Sequence, residues 1–300
     1  TDFQLTANQR YGYSVAGNDD GTHIVVAAPN YYSNVTQDYG KLYTYRKDST
    51  GANSLIFTGS LSPNFALGSN YFTGTNNTFY GKSLKVDSES DMIFAGAPYA
   101  SYVRNTGETN RLSEVDLVTT PSSNANEGIV KLSKINFETS AYIGEWVFAS
   151  PEPQANANFG HDIFVGTVST GTKILFVGSP GQDSGLGAVY YSKMTISTTT
   201  VDVATSTDVK LPITGLTPNA RFGSSITGDA TGSIVAVSAI NDNNGSGVVH
   251  IFATDDYISY TKIQDITVDD LFVSNIVQEG DLFAAKLVMD ATGEYLFVTA

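Results

Sequence analysis

Arg221-Phe222-Gly223-Ser224-Ser225-Ile226, then Gly228-Asp229-Ala230-Thr231-Gly232, then Ile234-Val235-Ala236-Val237-Ser238-Ala239, is the stretch that decides the fold. It reads as an aromatic-Gly pair, a short β run, a polar turn, and an apolar run ending in small residues. The phrase opens again at Tyr11-Gly12, Tyr80-Gly81, Phe159-Gly160 and, degraded, Phe283-Ala284. These starts lie 69, 79, 63 and 61 residues apart. Self-similarity at such a period is the signature of a repeat architecture.

The internal spacing supports one unit written about five times. Seventeen residues separate Tyr11 from Ala28, Tyr80 from Ala97, Phe222 from Ala239 and Phe283 from Ala300. The third copy takes 20, from Phe159 to Ser179, because its turn is longer. Each unit then continues with a third alternating run, such as Gly40-Lys41-Leu42-Tyr43-Thr44-Tyr45 or Gly187-Ala188-Val189-Tyr190-Tyr191. A fourth run follows at 54–61, 143–150, 208–214 and 260–267. Four strands of meander per repeat is the sequence form of a propeller blade. The expected fold is therefore all-β: a single β-propeller domain over 1–300, with four full four-stranded antiparallel units and partial units at both ends. Asp2-Phe3-Gln4-Leu5-Thr6 reads as the last strand of a unit, and the fifth unit stops after two strands. Either a thin five-bladed ring closes, or the chain is a window on a longer one; the second is favoured, because a third strand is missing.

Composition fits many short strands and tight turns, with 28 glycines and only 15% charged residues. The net charge of −14 repels phosphate backbones, so neither nucleic acid nor an anionic membrane surface is an expected partner. No apolar run approaches the roughly 20 residues of a membrane-spanning helix, so no membrane insertion is expected. Without cysteine there is no disulfide, thiolate metal site or thiol nucleophile.

The motifs resemble the FG-GAP repeat, the unit of the integrin α-subunit β-propeller and of bacterial and viral surface proteins. The matching pieces are Tyr11-Gly12-Tyr13-Ser14 with Ala27-Ala28-Pro29, and Tyr80-Gly81-Lys82-Ser83 with Gly96-Ala97-Pro98. Phe159-Gly160 pairs with Gly178-Ser179-Pro180, and Phe222-Gly223-Ser224-Ser225 with Ser238-Ala239. The resemblance covers nearly the whole chain. It implies an extracellular, cell-surface or virion-surface location, and a role in adhesion or assembly. Many FG-GAP repeats hold calcium between their first two strands, which takes several converging carboxylates. Here the turns 18–21, 167–172, 229–232 and 290–293 are too short or too poor in acids, and read as plain hairpins. Asp87, Glu89 and Asp91 are the best remaining calcium candidate, and no cofactor is otherwise expected.

No catalytic constellation stands out. His23, His161 and His250 sit in different units with no shared spacing, and no serine occupies a Gly-x-Ser-x-Gly elbow. Among 30 acids nothing singles out a glycosidase pair. The aromatics of the repeated phrase, and Trp146, read as packing. Recognition is expected instead from loop residues, because a loop tyrosine can anchor protein or sugar while its hydroxyl hydrogen-bonds. The candidates are Tyr31 and Tyr32 after the second strand, and Tyr71 and Phe72 in the connection 62–78. Tyr99, Tyr102, Arg104 and Arg111 complete the set, on an insertion at 99–127. The expected function is non-enzymatic recognition or assembly, binding protein or glycan through such loops. The alternative is a propeller glycosidase or lyase, or an accessory propeller beside a catalytic domain elsewhere.

Overall fold

The computed structural model describes residues 9–18, 21–32, 39–48, 54–62, 78–87, 89, 91–101, 103–104, 112–113, 122–123, 126–137, 141–197, 201–203, 209–270 and 283–299. The chain divides into two compact units, Thr1–Ala155 with Thr198–Thr200, and Asn156–Ser197 with Val201–Ala300. The first unit holds repeats one and two, and the second holds repeats three to five.

In the first unit, repeat one is a meander of β1 (Val15–Gly17), β2 (His23–Tyr32), β3 (Tyr39–Lys47) and β4 (Leu55–Leu61), paired in that order. Repeat two consists of β5 (Leu84–Asp87), β6 (Met92–Ala97), β7 (Ile129–Asn136) and β8 (Ala141–Ala149). The insertion after β6 forms a two-residue ladder, Val103–Arg104 with Ser122–Ser123. It also lays Leu112–Ser113 along the outer edge of β8, making that sheet five-stranded.

In the second unit, repeat three has β9 (Ile163–Ser169), β10 (Thr172–Ser179) and β11 (Ala188–Ile196). Its outer strand comes in two pieces, β12 (Val201–Val203) and β13 (Val209–Lys210), both paired with β11. Repeat four is β14 (Phe222–Gly228), β15 (Ile234–Ala239), β16 (Val248–Ala253) and β17 (Thr261–Ile266). Repeat five is the hairpin β18 (Leu287–Met289) and β19 (Leu296–Val298). The chain is thus an all-β protein built of antiparallel four-stranded blades of the propeller type. The segment 2–6, expected to be a strand, lies outside the described residues.

Burial follows strand position. The second strands β6, β10 and β15 are buried almost throughout, which is why they read as unbroken apolar runs. The outermost strand β17 is largely exposed, and its sequence, Thr261-Lys262-Ile263-Gln264-Asp265-Ile266, is correspondingly polar. The first-to-second turns of repeats one, four and five are each locked by one side chain. The side-chain oxygen of Asn18 accepts from the His23 amide (2.8 Å), that of Asp229 from Ile234 (3.1 Å) and that of Asp290 from Tyr295 (2.8 Å). The second Asp229 oxygen accepts from Thr231 and Ser233 hydroxyls. These side chains serve their own hairpins, in the manner of Asx turns.

Candidate functional site

The seams between consecutive repeats explain the repeated phrase. Within each unit the glycine that opens a third strand lies against the opening aromatic of the next repeat: Gly40 against Tyr80, Gly187 against Phe222 and Gly247 against Phe283. A Cβ on Gly187 would stand 2.2 Å from the Phe222 carbonyl oxygen, and one on Gly40 would stand 2.7 Å from Tyr80. Only a residue without a side chain permits that approach. The opening aromatics Tyr80, Phe159, Phe222 and Phe283 are buried. Four residues further on, Leu84, Ile163, Ile226 and Leu287 are buried too.

Repeat one breaks this rule. Tyr11, in the same place as those four aromatics, is 37% exposed, and Val15 is 59% exposed. This face of the blade is dressed with rings. Leu42 joins the core with Tyr80 and Val25, so the alternate β3 residues Lys41, Tyr43 and Tyr45 lie on the opposite face, where Tyr43 is itself buried by its neighbours. The Tyr11 ring meets the Tyr43 ring edge-on at 5.4 Å, and its hydroxyl is 2.7 Å from the Tyr45 hydroxyl. Phe57 on β4 lies 5.6 Å from Tyr45 and 6.4 Å from Tyr43. Lys41 places its ammonium 4.7 Å from the Tyr31 ring and 5.7 Å from Tyr43.

A second group lies across Gly12. Tyr13 packs edge-on against Phe79 at 5.1 Å, and Phe79 lies 5.6 Å from Tyr99. Arg10 sits over Phe79 at 5.5 Å, and Lys82 over Tyr13 at 5.4 Å. Cations thus stand at ring faces here, although the whole chain carries −14. Burial pushes the Tyr43 hydroxyl up to about 12, with Tyr31 and Tyr11 adding to the shift. Tyr45 is raised as well, by burial and then by its hydrogen bond to Tyr11. Both phenols stay protonated at neutral pH and keep a proton to donate.

Two of the sequence-derived candidates fall in this arrangement, Tyr31 and Tyr99. Tyr32 ends β2 and Arg104 lies in the short insertion ladder, with side chains outside the description. Tyr102, Arg111, Tyr71 and Phe72 lie outside the described residues. Sequence reasoning missed Tyr11, Tyr13, Tyr43, Tyr45 and Phe57, because it assigned phrase and strand aromatics to packing.

The polar clusters of the second unit serve mainly to link neighbouring strands, although the buried His250 Nε2 has no hydrogen-bond partner. Asp162 accepts from the Ser225 hydroxyl (3.0 Å), the Ile226 amide (3.0 Å) and the Lys286 ammonium (2.8 Å). Ser225 Oγ is buried and also accepts from the Leu287 amide at 3.2 Å. That serine is a strand linker, with its proton committed to Asp162. His250 Nδ1 lies 2.6 Å from Asp265, and its Nε2 lies 3.5 Å from Asp242. Asp242 in turn accepts from the Thr217 amide and hydroxyl, tying the third-strand turn to the chain entering β14. His23 and His161 make separate contacts, with Thr22 and with the Ser224 carbonyl. Trp146 is buried over Gly144, as its strand position suggested. Among the described residues no group of three His, Asp or Glu side chains is placed to hold a metal ion. Serines 88 and 90, between the acids of the 87–91 turn, lie outside the description.

Neither a family model nor a curated protein matches the chain. A solved structure, that of Saccharomyces cerevisiae Sqt1, is similar at a TM-score of 0.39 and 10% identity, over 95% of this chain and 67% of that one. A likeness of that degree carries no argument about either fold or function, and the blade assignment rests on the strand order alone.

Proposed function

We propose that this chain is a non-enzymatic recognition and assembly module of FG-GAP type, and that it docks protein through the open aromatic face of repeat one. The observation that carries the reading is the group of Tyr11, Tyr43, Tyr45 and Phe57 rings gathered on one face of repeat one, with the Lys41 ammonium beside it. Rings of this kind supply large contact area at little entropic cost, and tyrosine is enriched at binding hot spots. The cations over these rings favour a partner bearing carboxylates. A surface location, on a cell or virion, belongs to the same proposal.

The test uses the 300-residue chain against immobilised extracellular proteins and glycans. Tyr13→Ser combined with Val15→Ser removes two exposed side chains and is expected to abolish capture of the bound partner with the melting temperature unchanged. A double variant that captures the same partner as well as the parent would sink the assignment of this face. Capture of glycans alone would shift the partner class, and release of sugars from a polysaccharide would favour the enzyme reading.

A further inference from the structure

The seam between repeats one and two holds two cations in an arrangement that the fold does not require. The residue before an opening aromatic takes a left-handed backbone, with φ of 54° at Arg10, 58° at Phe79, 58° at Asn158 and 59° at Arg221. In the first three repeats its carbonyl accepts from the amide of Tyr13, Lys82 or His161, which closes a tight turn. The side chains at the two ends of that turn are Arg10 and Tyr13 in repeat one, and Phe79 and Lys82 in repeat two. They pair crosswise. The Arg10 guanidinium lies 5.5 Å from the Phe79 ring and the Lys82 ammonium 5.4 Å from the Tyr13 ring, so each repeat lends a cation to a ring of the other. Between repeats three and four the same places hold Asn158 with His161 and Arg221 with Ser224, linked by His161 Nδ1 and the Ser224 carbonyl at 3.2 Å. The turn is thus built there without crossed cation–ring pairs.

Neither cation is neutralised. Lys131, Lys210, Lys262 and Lys286 pair with Glu145, Asp183, Asp265 and Asp162. Among the described residues Arg10 and Lys82 have rings and no carboxylate as partners. A ring face attracts a cation but leaves its N–H donors free to bond elsewhere. Arg10 is exposed and Lys82 half-buried, and His161 is half-buried at the place that Lys82 holds. Tyr13 and Tyr99 flank Phe79 at 5.1 and 5.6 Å and bring two phenols to the same patch. A guanidinium fork, an ammonium and phenolic hydroxyls form their strongest hydrogen bonds with an anionic oxygen.

We propose that Arg10 and Lys82, held on the Phe79 and Tyr13 rings, form a carboxylate-binding site that takes an acidic peptide segment of the protein partner. The proposal rests on the reading of this chain as a protein-docking module, and adds a site separate from the Tyr11, Tyr43, Tyr45 and Phe57 rings. The crossed rings hold both cations in place before contact, so less side-chain freedom is lost on binding. In a chain of net charge −14, a local pair of cations also fixes where an acidic partner can approach.

The probe is a fluorescent hexaglutamate peptide, titrated into the full chain at low salt and read by anisotropy, beside a hexaglutamine peptide. Hexaglutamate is expected to bind about tenfold more tightly or better. Arg10→Gln and Lys82→Gln should each weaken it about tenfold with unchanged melting, and Lys82→Arg should keep it. Lys47→Gln removes the same charge from the end of β3 and should change affinity by no more than about twofold. No binding of hexaglutamate, equal binding of the two peptides, or an equal loss from Lys47→Gln overturns the proposal. Tighter binding of a hexagalacturonate overturns it too, by making the ligand an acidic glycan. Phe57→Ser separates this site from the ring face. Partner capture lost in Phe57→Ser but kept in the Arg10→Gln, Lys82→Gln double variant overturns the site and leaves the ring face standing. Hexaglutamate binding with the stated dependences supports the site even where capture of a whole protein fails, so the two readings fail separately.

Discussion

Asp162 stands at the third position after an opening aromatic, where the other repeats carry Ser14, Ser83, Ser225 and Lys286. In the second unit these positions meet, because inner strands of successive repeats run side by side, and one carboxylate serves two neighbours. Removing it strands a buried hydroxyl and an amide as well as an ammonium. Asp162→Ala is therefore expected to cost about 2–4 kcal/mol in urea unfolding, and Asp162→Asn distinctly less. Tyrosine titration gives a second prediction at this scale. Tyr43 ionises near pH 10 when unfolded and near 12 when folded, so the folded state favours the neutral phenol. Its contribution is fully present below pH 10 and disappears as the pH rises from 10 through 12. An alkaline absorbance titration should show a late phenolate step that Tyr43→Phe removes. Titration of that step with the unperturbed tyrosines would contradict the buried setting. Nothing in the spacing of Asp162 and Lys286 announced their pairing, since they are far apart in sequence and the sheet order alone aligns them.

The element that governs assembly is the seam of third-strand glycine and next opening aromatic. Gly187 combines φ of +89° with a backbone 2.2 Å from any Cβ it might carry, whereas Gly245 has φ of +90° and open space around it. Gly245→Ala should cost about 1 kcal/mol, the expense of the left-handed backbone alone. Gly187→Ala adds a collision with Phe222 and should cost about 3 kcal/mol or more, read as a lower denaturation midpoint at unchanged m. Equal effects would mean that the seam yields easily. Both glycines lie in the turn that leads into a third strand, Gly187 at its end and Gly245 two residues before the corresponding Gly247. Their different surroundings emerged only with the neighbouring repeat in place. The strand order was legible throughout, because apolar runs, turn residues and alternation recur at fixed offsets. The split outer strand of repeat three was not, since β12 and β13 are short polar pieces with little pattern of their own.

Across the whole molecule, the same sequence position has opposite fates in different repeats. Val15 and Ile226 both lie four residues after an opening aromatic, one exposed and one buried. Val15→Ser should change stability by no more than about 0.5 kcal/mol, whereas Ile226→Ser should cost about 3 kcal/mol or more. Parallel thermal melts of the two variants test this, and a large loss from Val15→Ser would show that its face is covered in solution. The sequence by itself determined the period, the four-strand grammar of each blade, the glycines and aromatics of the seams, and the all-β class. It could do so because each of these is a local constraint, set by side-chain periodicity, turn geometry and steric size. Only the tertiary structure decided which copies of an identical phrase are covered. Burial and close approach depend on what stands next to a residue in space: Gly187 and Gly245 share a left-handed backbone, yet only Gly187 lies against Phe222.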